Sequence, residues 1–556
     1  MSGLLHHLPV MPIVVPLLAG ALMLFLSEAR RAARATIALT SMVVQLAVGG
    51  ALLYLASDAA PHVWSEGIGV YRIGNWPSPF GIVLVVDRLS ALMVTLGASL
   101  GFCVLVYTIA RWDRPGQPFH SLLQFLMMGL NGAFLTGDLF NLFVFFEVLL
   151  AASYGLVLRG TGATRVKEGL HYIVVNLVAS FMFLIGVSMV YGIAGTLNMA
   201  ELTGRVAALS PADRALFDVG GAILGIAFLV KAGSWPLNLW LPGTYSVALA
   251  PIAASFAMLT KVGVYAVLRV GTLMSHDQAA ASLLGPALFY IGLATLVAGT
   301  IGMLSALHLA RLVSHSLIVS TGIMLAALGL GIESLTPPVL FYLIVSVLTS
   351  GAFFLLTGMT ERTRARDSAI ATAMHDEPRE TPALPYYVAF GVREPDPYGT
   401  DEEVGVAIPA AMAFLGLMFV CCVLLVTGLP PLPGFVAKFT LLSTAIGEAA
   451  AAGMTKPVWV LTAAVLATGL AGAIALTRIG MSLFWTVTER TTPRLHVLEA
   501  APVALLVLVC LTLGAAAGPV MGYLESTARS LHDPQTYIRT VLAAEAQLAE
   551  AHGASP

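Results

Sequence analysis

Charged side chains are scarce in this sequence. They make up 10% of the 556 residues, whereas soluble domains carry about 25%. Apolar residues make up 58%, and the mean hydropathy is +0.88. A chain with so little charge and so much apolar surface is not a water-soluble domain, so the composition predicts an integral membrane protein.

Cysteine and dense basic segments are also lacking. The four cysteines lie in apolar segments without the spacing of metal ligands, so neither a disulfide framework nor a metal site is predicted. A net charge of −2 without a basic run argues against nucleic acid as a partner. The sequence carries no metal, nucleotide or nucleophile motif, which argues against a catalytic membrane enzyme and against a cofactor.

Apolar runs of about 20 residues recur along the chain, and each is long enough to cross the hydrocarbon core of a bilayer. Two further apolar pieces, 237–247 and 433–447, follow proline-bearing breaks and are predicted to be the second halves of spans seven and twelve. We predict fourteen membrane spans, at about 9–27, 36–56, 82–109, 120–136, 139–158, 170–193, 216–234, 248–271, 285–307, 313–331, 338–359, 406–428, 457–478 and 499–523.

Positive charge is unevenly distributed between the predicted loops. When basic residues at the span ends are counted with the nearest loop, loops after odd-numbered spans carry 17 Lys and Arg residues, whereas loops after even-numbered spans and the C-terminal tail carry 8. The positive-inside rule therefore places the odd loops in the cytoplasm and both termini outside. The polar segment 361–404 is predicted to be a cytoplasmic loop.

Residues 524–552 have an amphipathic helical pattern. This pattern is compatible with a helix at the membrane surface, with a helix that docks to a partner, and with a solvated tail.

Three of the five lysines, Lys231, Lys261 and Lys438, lie inside apolar stretches. A cation at bilayer depth costs roughly 2.5–3.5 kcal/mol, so each of these lysines needs a reason to be there. A buried ammonium can release its proton near neutral pH, whereas a guanidinium effectively cannot. The choice of lysine therefore predicts a membrane protein that handles protons.

Glu147 lies near the middle of the fifth predicted span, and Lys231 is the natural cation to keep it charged. We predict a switchable pair, in which the lysine is held protonated when the two groups are close and releases its proton when they separate. The alternative is a purely structural buried ion pair, although such pairs often add no net stability over apolar residues.

Two predicted spans are broken by proline next to a lysine. Lys231 precedes the break at Pro236, and Lys438 follows the break that contains Pro430, Pro431 and Pro433. Proline interrupts the helical ladder and frees carbonyl groups that must face water or protein. Broken helices in corresponding positions of two halves indicate a transporter and its ion path. Lys261 is placed to relay protons between the two broken spans.

Other polar residues are weaker candidates. His308 and His315 flank the predicted cytoplasmic end of span ten. Two roles are therefore open for them: proton transfer, or a place at the membrane interface. The same alternative applies to His171, at the start of span six. Arg269 is close enough to the end of span eight to snorkel, which predicts a structural role. Possible members of a hydrated path in and before span ten are His308, His315, Ser316, Ser320 and Thr321.

Three segments carry a family resemblance. They are TGDLFNLFVFFEVLL around Glu147, VKAGSWPLNLWLPGTYSVALAPIAASFAMLTKVGVYAVLR around Lys231 and Lys261, and GLPPLPGFVAKF around Lys438. Over about residues 80–490 the chain resembles the antiporter-type subunits shared by Mrp sodium/proton antiporters and the membrane arm of respiratory complex I. The first and third segments resemble the D-type subunit of the Mrp complex most closely. The segment DEEVGVAIPAAMAFLG is similar to the proteobacterial potassium-efflux branch of that subunit.

The resemblance implies an all-α polytopic fold of about fourteen transmembrane helices. Spans 4–8 and 9–13 would form two five-helix repeats of inverted topology, with spans seven and twelve broken. The implied units are 1–119 (spans one to three), 120–271 (first repeat), 285–478 (second repeat, with the polar loop 361–404) and 479–556 (the last span and a C-terminal amphipathic helix or tail).

The resemblance also implies roles for individual residues. Glu147 and Lys231 would be the coupling pair, Lys261 the central relay and Lys438 the terminal proton site. The implied partners are other antiporter subunits in a hetero-oligomer of the bacterial inner membrane, the bilayer, H+ and either Na+ or K+, without a soluble cofactor. In that membrane, the loop charges place both termini in the periplasm.

Two functions stay open from the sequence. The first is a subunit that couples inward proton movement to Na+ or K+ efflux. The second is a proton-pumping subunit of a complex I-like redox enzyme. Many complex I relatives have a histidine and an acidic residue where this chain has Asn238 and Gly243, which weakens the second assignment. Relatives commonly carry a tyrosine where this chain has His315.

Overall fold

The computed structural model describes residues 5–27, 29–59, 63–74, 76, 81–111, 118–160, 162–275, 285–376, 410–449, 453, 455–484 and 495–551. Its helices are α1 (Met11–Leu24), α2 (Arg31–Leu55), α3 (Arg88–Arg111), α4 (Phe119–Leu135), α5 (Leu139–Val157), α6 (Ala163–Ala194), α7 (Met199–Ala207), α8 (Pro211–Ala232), α9 (Trp240–Val247), α10 (Ala250–Phe256), α11 (Leu259–Ser275), α12 (Pro286–Ser305), α13 (Leu309–Gly329), α14 (Thr336–Asp376), α15 (Ala410–Thr427), α16 (Pro433–Glu448), α17 (Thr455–Phe484), α18 (Val497–Ala515), α19 (Ala517–His532) and α20 (Gln535–Ala551). Two short strands, β1 (Gly69–Arg72) and β2 (Val83–Val86), precede α3.

Long apolar helices dominate the structure. Within the described residues, twelve helical segments are long and apolar enough to cross a bilayer, with α10 and α11 counted together as one segment, Ala250–Met274. Two shorter apolar helices, Leu8–Leu24 and Phe119–Leu135, occupy the places of the predicted first and fourth spans. The prediction of an all-α polytopic membrane protein is confirmed. The count of fourteen crossings and the inverted repeats stay predictions.

Both proline-bearing breaks are present. Helix α8 ends before Gly233 and α15 ends before Gly428, and these two glycines have φ angles of +71° and +76°. This left-handed conformation strongly favours glycine. The next residue in each case closes the helix end, because the amides of Ser234 and Leu429 donate to carbonyl oxygens five residues earlier at 3.1 Å. The chain then resumes as α9 and α16.

A third break was not predicted. Span eight was expected to be continuous, but α10 ends at Phe256 and α11 begins at Leu259. The amides of Ala257 and Met258 donate to carbonyl oxygens three residues earlier, at 3.2 and 3.3 Å, which is the tighter 3₁₀ pattern. The segment between the two helices contains neither proline nor glycine, so the sequence carried no signal for this break.

The boundaries predicted for span three and for the polar loop were wrong. Span three was expected to begin at residue 82, but β2 pairs there in antiparallel register with β1, and α3 begins only at Arg88. The polar loop was expected to begin at residue 361, but α14 continues to Asp376. Its apolar stretch is followed by good helix formers that extend the helix beyond the span. The rest of the predicted loop, 377–404, lies outside the described residues.

The C-terminal segment folds back onto the chain. Helix α20 packs against α7 and β1, and α19 packs against α14. The side chains of Tyr537 and Val541 on α20 are 5% and 1% exposed. The expectation of a surface helix or a solvated tail was therefore wrong for this part of α20, because its apolar face is covered by the protein itself.

Arg269 does not snorkel, contrary to the sequence-based prediction. Its guanidinium forms an ion pair with the Asp87 carboxylate at 2.6 Å, and the two side chains are 7% and 6% exposed. The guanidinium also lies 5.7 and 5.5 Å from the ring centres of Tyr265 and Tyr537. Asp87, just before α3, and Tyr537 on α20 both lie against the guanidinium, so the arginine is satisfied inside the protein.

We expect Asp87→Ala to destabilise the protein by about 3–5 kcal/mol, because it leaves the buried guanidinium of Arg269 without its counter-charge. Thermal unfolding of the purified complex in detergent measures this as a lower melting temperature. The matched control is Asp58→Ala, which removes the 83% exposed partner of Arg88 and should cost less than about 1 kcal/mol. Equal melting temperatures for the two variants would contradict the prediction.

Candidate functional site

Glu147 lies near the middle of α5 and is half-buried. Asp138 fixes the start of this helix, because its carboxylate accepts a hydrogen bond from the amide of Asn141 at 2.9 Å. The Ser180 hydroxyl on α6 donates to Glu147 Oε1. The carboxylate therefore has a neutral hydrogen-bond donor beside it at membrane depth.

Lys231 lies in the last turn of α8 and is 8% exposed. Its Nζ donates to Asn176 Oδ1 on α6 at 3.4 Å. The Glu147 carboxylate lies within electrostatic range of Lys231, yet the ion pairs found among the described residues do not include these two groups. Glu147 and Lys231 thus bind side chains that lie one turn apart on α6, and they do not form an ion pair with each other.

Lys261 is fully buried in the first turn of α11, directly after the unpredicted break. Its Nζ donates to Ser320 Oγ at 2.6 Å and to Thr321 Oγ1 at 3.2 Å, both on α13. Two residues further on, a side chain at Gly263 would place its Cβ 2.4 Å from the amide nitrogen of Ala232. Glycine therefore lets α11 pack closely against the end of α8 that carries Lys231.

Lys438 lies on α16 and is 8% exposed. Its Nζ donates to the carbonyl oxygens of Val426 and Thr427, at 2.9 Å in both cases. These carbonyls belong to the last turn of α15, where the helix has no amide left to satisfy them. The ammonium of Lys438 therefore caps the first half of the broken span.

A cavity of about 30 Å³ joins the surroundings of Lys261 and Lys438. Lys438 and the Lys261 partner Ser320 both line it. This volume is large enough to hold a water molecule where polar partners are available. The hydroxyl groups along the wall belong to Ser316, Ser320, Tyr342, Ser346, Thr349, Ser350 and Thr468.

The predicted histidines lie elsewhere. His308 is exposed and precedes the first residue of α13, and His171 is exposed on α6. The ring of His315 lies against Gly302 on α12, where a Cβ would approach its Nδ1 to 2.1 Å. Of the residues proposed for a path through span ten, Ser316 and Ser320 line the cavity. Ser320 and Thr321 also accept hydrogen bonds from Lys261.

The four prolines singled out in the sequence lie at the two breaks. Pro236 follows the end of α8, Pro430 and Pro431 lie between α15 and α16, and Pro433 is the first residue of α16. Proline suits the first position of a helix because its missing amide hydrogen would have no partner there.

Sequence reasoning missed several polar residues at the site. Asn176 and Ser180 are spaced four residues apart on α6, a spacing that places both on one helical face. Ser346, Thr349 and Ser350 on α14 have the same helical spacing and line the cavity. Their periodicity was a readable signal. Among the described residues no group of three His, Cys, Asp or Glu side chains could hold a metal ion.

Broken helices with buried lysines beside the breaks, in a polytopic helical fold, are features of the class of membrane transporters. A family described as "NADH:quinone oxidoreductase/Mrp antiporter, TM" matches residues 136–377. The fold is similar to a chain in the structure of the Mrp complex from Dietzia sp. DQ12-45-1b, with a TM-score of 0.78, 24% identity and coverage of 97% of this chain and 99% of the other. It is also similar to a chain of respiratory complex I from Thermus thermophilus, with a TM-score of 0.70, 21% identity and the same coverage.

Two relatives align over nearly their whole length. A protein of Rhizobium meliloti (strain 1021), named as the D-type subunit of a probable K(+)/H(+) antiporter, is 47% identical over 98% of this chain and 99% of its own. The D-type subunit of the Na(+)/H(+) antiporter of Alkalihalophilus pseudofirmus is 32% identical over 97% of this chain and 100% of its own. The chain belongs to the family of D-type subunits of Mrp-type antiporters, and it is a multi-pass membrane protein.

Proposed function

We propose that this chain is the proton-translocating subunit of a multisubunit monovalent cation/proton antiporter. Protons move through it along Glu147, Lys231, Lys261 and Lys438, and their movement drives Na+ or K+ efflux by the assembled complex. The observation that carries the proposal is the placement of three buried lysines beside helix breaks, with polar groups between them.

The proposed cycle begins with the coupling pair. When the Glu147 carboxylate approaches Lys231, the ammonium is stabilised, because an opposite charge within about 4–6 Å favours the charged form. When the two separate, Lys231 keeps only the neutral oxygen of Asn176 and passes its proton on. In this proposal the arrangement described above, without direct contact, is the separated state.

The proton then moves laterally to Lys261 and Lys438. Lys261 and Lys438 are linked by the hydroxyl of Ser320 and the hydroxyl-lined cavity, which provide donors and acceptors for a water-mediated transfer. Lys438 is the last group of the path within the membrane. Ser316, which was predicted for this route, lines the cavity, whereas the predicted His308 and His315 are not among its lining residues.

We expect cation-dependent proton exchange from the whole complex reconstituted in vesicles, with K+ tested first because the 47% identical relative is named a K+/H+ antiporter subunit. K+ or Na+ at a higher concentration inside the vesicles than outside should drive protons inward. A pH-sensitive dye inside the vesicles measures this movement. Vesicles without the complex, and vesicles with an ionophore that collapses the pH difference, are the controls. A complete complex that exchanges neither cation would contradict the proposed function.

The second candidate is a proton-pumping subunit of a redox enzyme, which the fold likeness to the complex I chain favours. The same charged axis would then be driven by electron transfer. Affinity purification of the chain from its native membrane separates the two. Co-purifying small membrane subunits support the antiporter, whereas iron-sulfur or flavin subunits support the redox enzyme.

The proposed setting is the bacterial inner membrane with both termini in the periplasm, based on the loop charges. We also propose that spans 4–8 (120–271) and 9–13 (285–478) are inverted repeats, between the units 1–119 and 479–556. The support for this arrangement is that α8 and α15 end in the same way, with a left-handed glycine and a lysine close to the break.

A further inference from the structure

We infer that Asn176 and Ser180 on α6 are positioning residues that hold Lys231 and Glu147 in their separated state. This inference rests on the proposed function, because it assigns a task to two neutral residues beside the coupling pair. Helix α6 packs against both α5, which carries Glu147, and α8, which carries Lys231. The side chains of Asn176 and Ser180 are 2% and 5% exposed.

Asn176 presents a fixed oxygen to Lys231. Its Nδ2 donates to the carbonyl oxygen of Tyr172 at 2.9 Å, and this hydrogen bond turns Oδ1 towards the lysine. Tyr172 is itself held in place, because its hydroxyl bonds to Ser153 at 2.8 Å and its ring lies 5.2 Å from that of Trp240 on α9. The amide therefore accepts from the ammonium without supplying a counter-charge, and it keeps the lysine on the α6 side.

Ser180 presents a single hydroxyl hydrogen to two acceptors. One is Glu147 Oε1 and the other is the carbonyl oxygen of Asn176, at 3.0 Å. The hydroxyl can donate to the carboxylate in the separated state. When the carboxylate moves to Lys231, the hydroxyl returns to the carbonyl four residues earlier, a usual partner for serine in a helix.

Together the two residues lower the free energy of separating the charges at membrane depth. An isolated charge inside the protein is costly unless it keeps a hydrogen-bond partner. Asn176 provides the partner for the ammonium and Ser180 the partner for the carboxylate, one helical turn apart. Helix α6 therefore stabilises the state in which Glu147 and Lys231 are apart. In the other state the two groups are in direct contact.

The test is the pH profile of exchange by the reconstituted complex. Ser180→Ala removes a donor to the carboxylate, so the acid limb should move to higher pH. Asn176→Leu removes an acceptor from the ammonium, so the alkaline limb should move to lower pH. Each limb should move by about one pH unit, since one hydrogen bond to a charged group corresponds to about a tenfold change in proton affinity.

Three further variants make the result specific. Ser180→Thr restores the hydroxyl and should restore the acid limb. Ser188→Ala, at an exposed serine on the same helix, should leave both limbs unchanged. Asn176→Ala replaces Asn176→Leu if the larger side chain prevents assembly, and it should move the alkaline limb in the same direction. Assembly of each variant is checked by size-exclusion chromatography.

Limbs that stay in place in assembled Ser180→Ala and Asn176→Leu complexes would overturn the inference, as would a shift of both limbs in one direction. Glu147→Gln in the same assay separates this failure from that of the proposed function. If Glu147→Gln abolishes exchange while the α6 variants keep the wild-type profile, only the role of α6 is lost. If Glu147→Gln exchanges normally, the proposed proton axis is lost with it.

Discussion

Replacing Glu147 with glutamine should reduce cation-dependent proton exchange to the rate of vesicles that lack the complex. Glutamine keeps the size of the side chain and still accepts a hydrogen bond from the Ser180 hydroxyl, so the packing of α5 against α6 should persist. What it loses is the negative charge that stabilises the ammonium of Lys231. Without that charge the lysine has no alternating partner, and nothing drives the proton step.

The measurement is exchange in proteoliposomes, with the assembled complex quantified by size-exclusion chromatography. Lys231→Ala should give the same loss by removing the other member of the pair. The control is Glu525→Gln, at an exposed glutamate on α19, which removes a negative charge outside the pair and should leave exchange unchanged. Wild-type exchange in both Glu147→Gln and Lys231→Ala would remove the pair from the mechanism.

The charged residues of the site could be predicted from the sequence because each is costly at membrane depth. Lys231, Lys261 and Lys438 stand out in apolar segments, and Pro236 and Pro433 mark the breaks beside two of them. Burial cost and backbone chemistry are local properties, so they are visible without a structure.

The neutral partners could not be predicted in the same way. Asn176 and Ser180 are easily buried once they are hydrogen-bonded, so their four-residue spacing places them on one helical face but does not show which charged groups they bind. The break before Lys261 has no proline or glycine, and its tightened hydrogen bonds depend on packing around it. The sequence shows which residues are energetically costly to bury. The hydrogen-bond partners of Asn176 and Ser180 and the break before Lys261 depend instead on tertiary contacts.

Distant contacts explain the remaining error at the end of span eight. Arg269 was expected to reach towards the membrane surface, but its partners Asp87 and Tyr537 come from far apart in the chain. Since α20 was not expected to fold back, nothing in the sequence indicated that this helix end would be covered. The buried ion pair and the docked C-terminal helix both depend on contacts between segments far apart in the chain, so local sequence patterns predicted neither.

Replacing Lys438 with arginine should abolish exchange while the complex stays assembled and stable. The Lys438 ammonium donates to the carbonyl oxygens of Val426 and Thr427, and a guanidinium can supply donors to both. The adjoining cavity gives the larger head group some room. A guanidinium, however, effectively never releases its proton in a protein. The variant therefore keeps the cap of α15 and its positive charge but stops proton release at the end of the path.

Lys438→Met separates the two roles of this lysine. It removes the proton site and also leaves the last carbonyls of α15 without a donor, so both exchange and the melting temperature should fall. Lys456→Arg, at an exposed lysine in the first turn of α17, should leave both unchanged. Exchange at the wild-type rate by Lys438→Arg would show that this group never gives up its proton during turnover. In that case Lys438 would be a helix cap, and the path would have to leave the membrane from the hydroxyl-lined cavity by another residue.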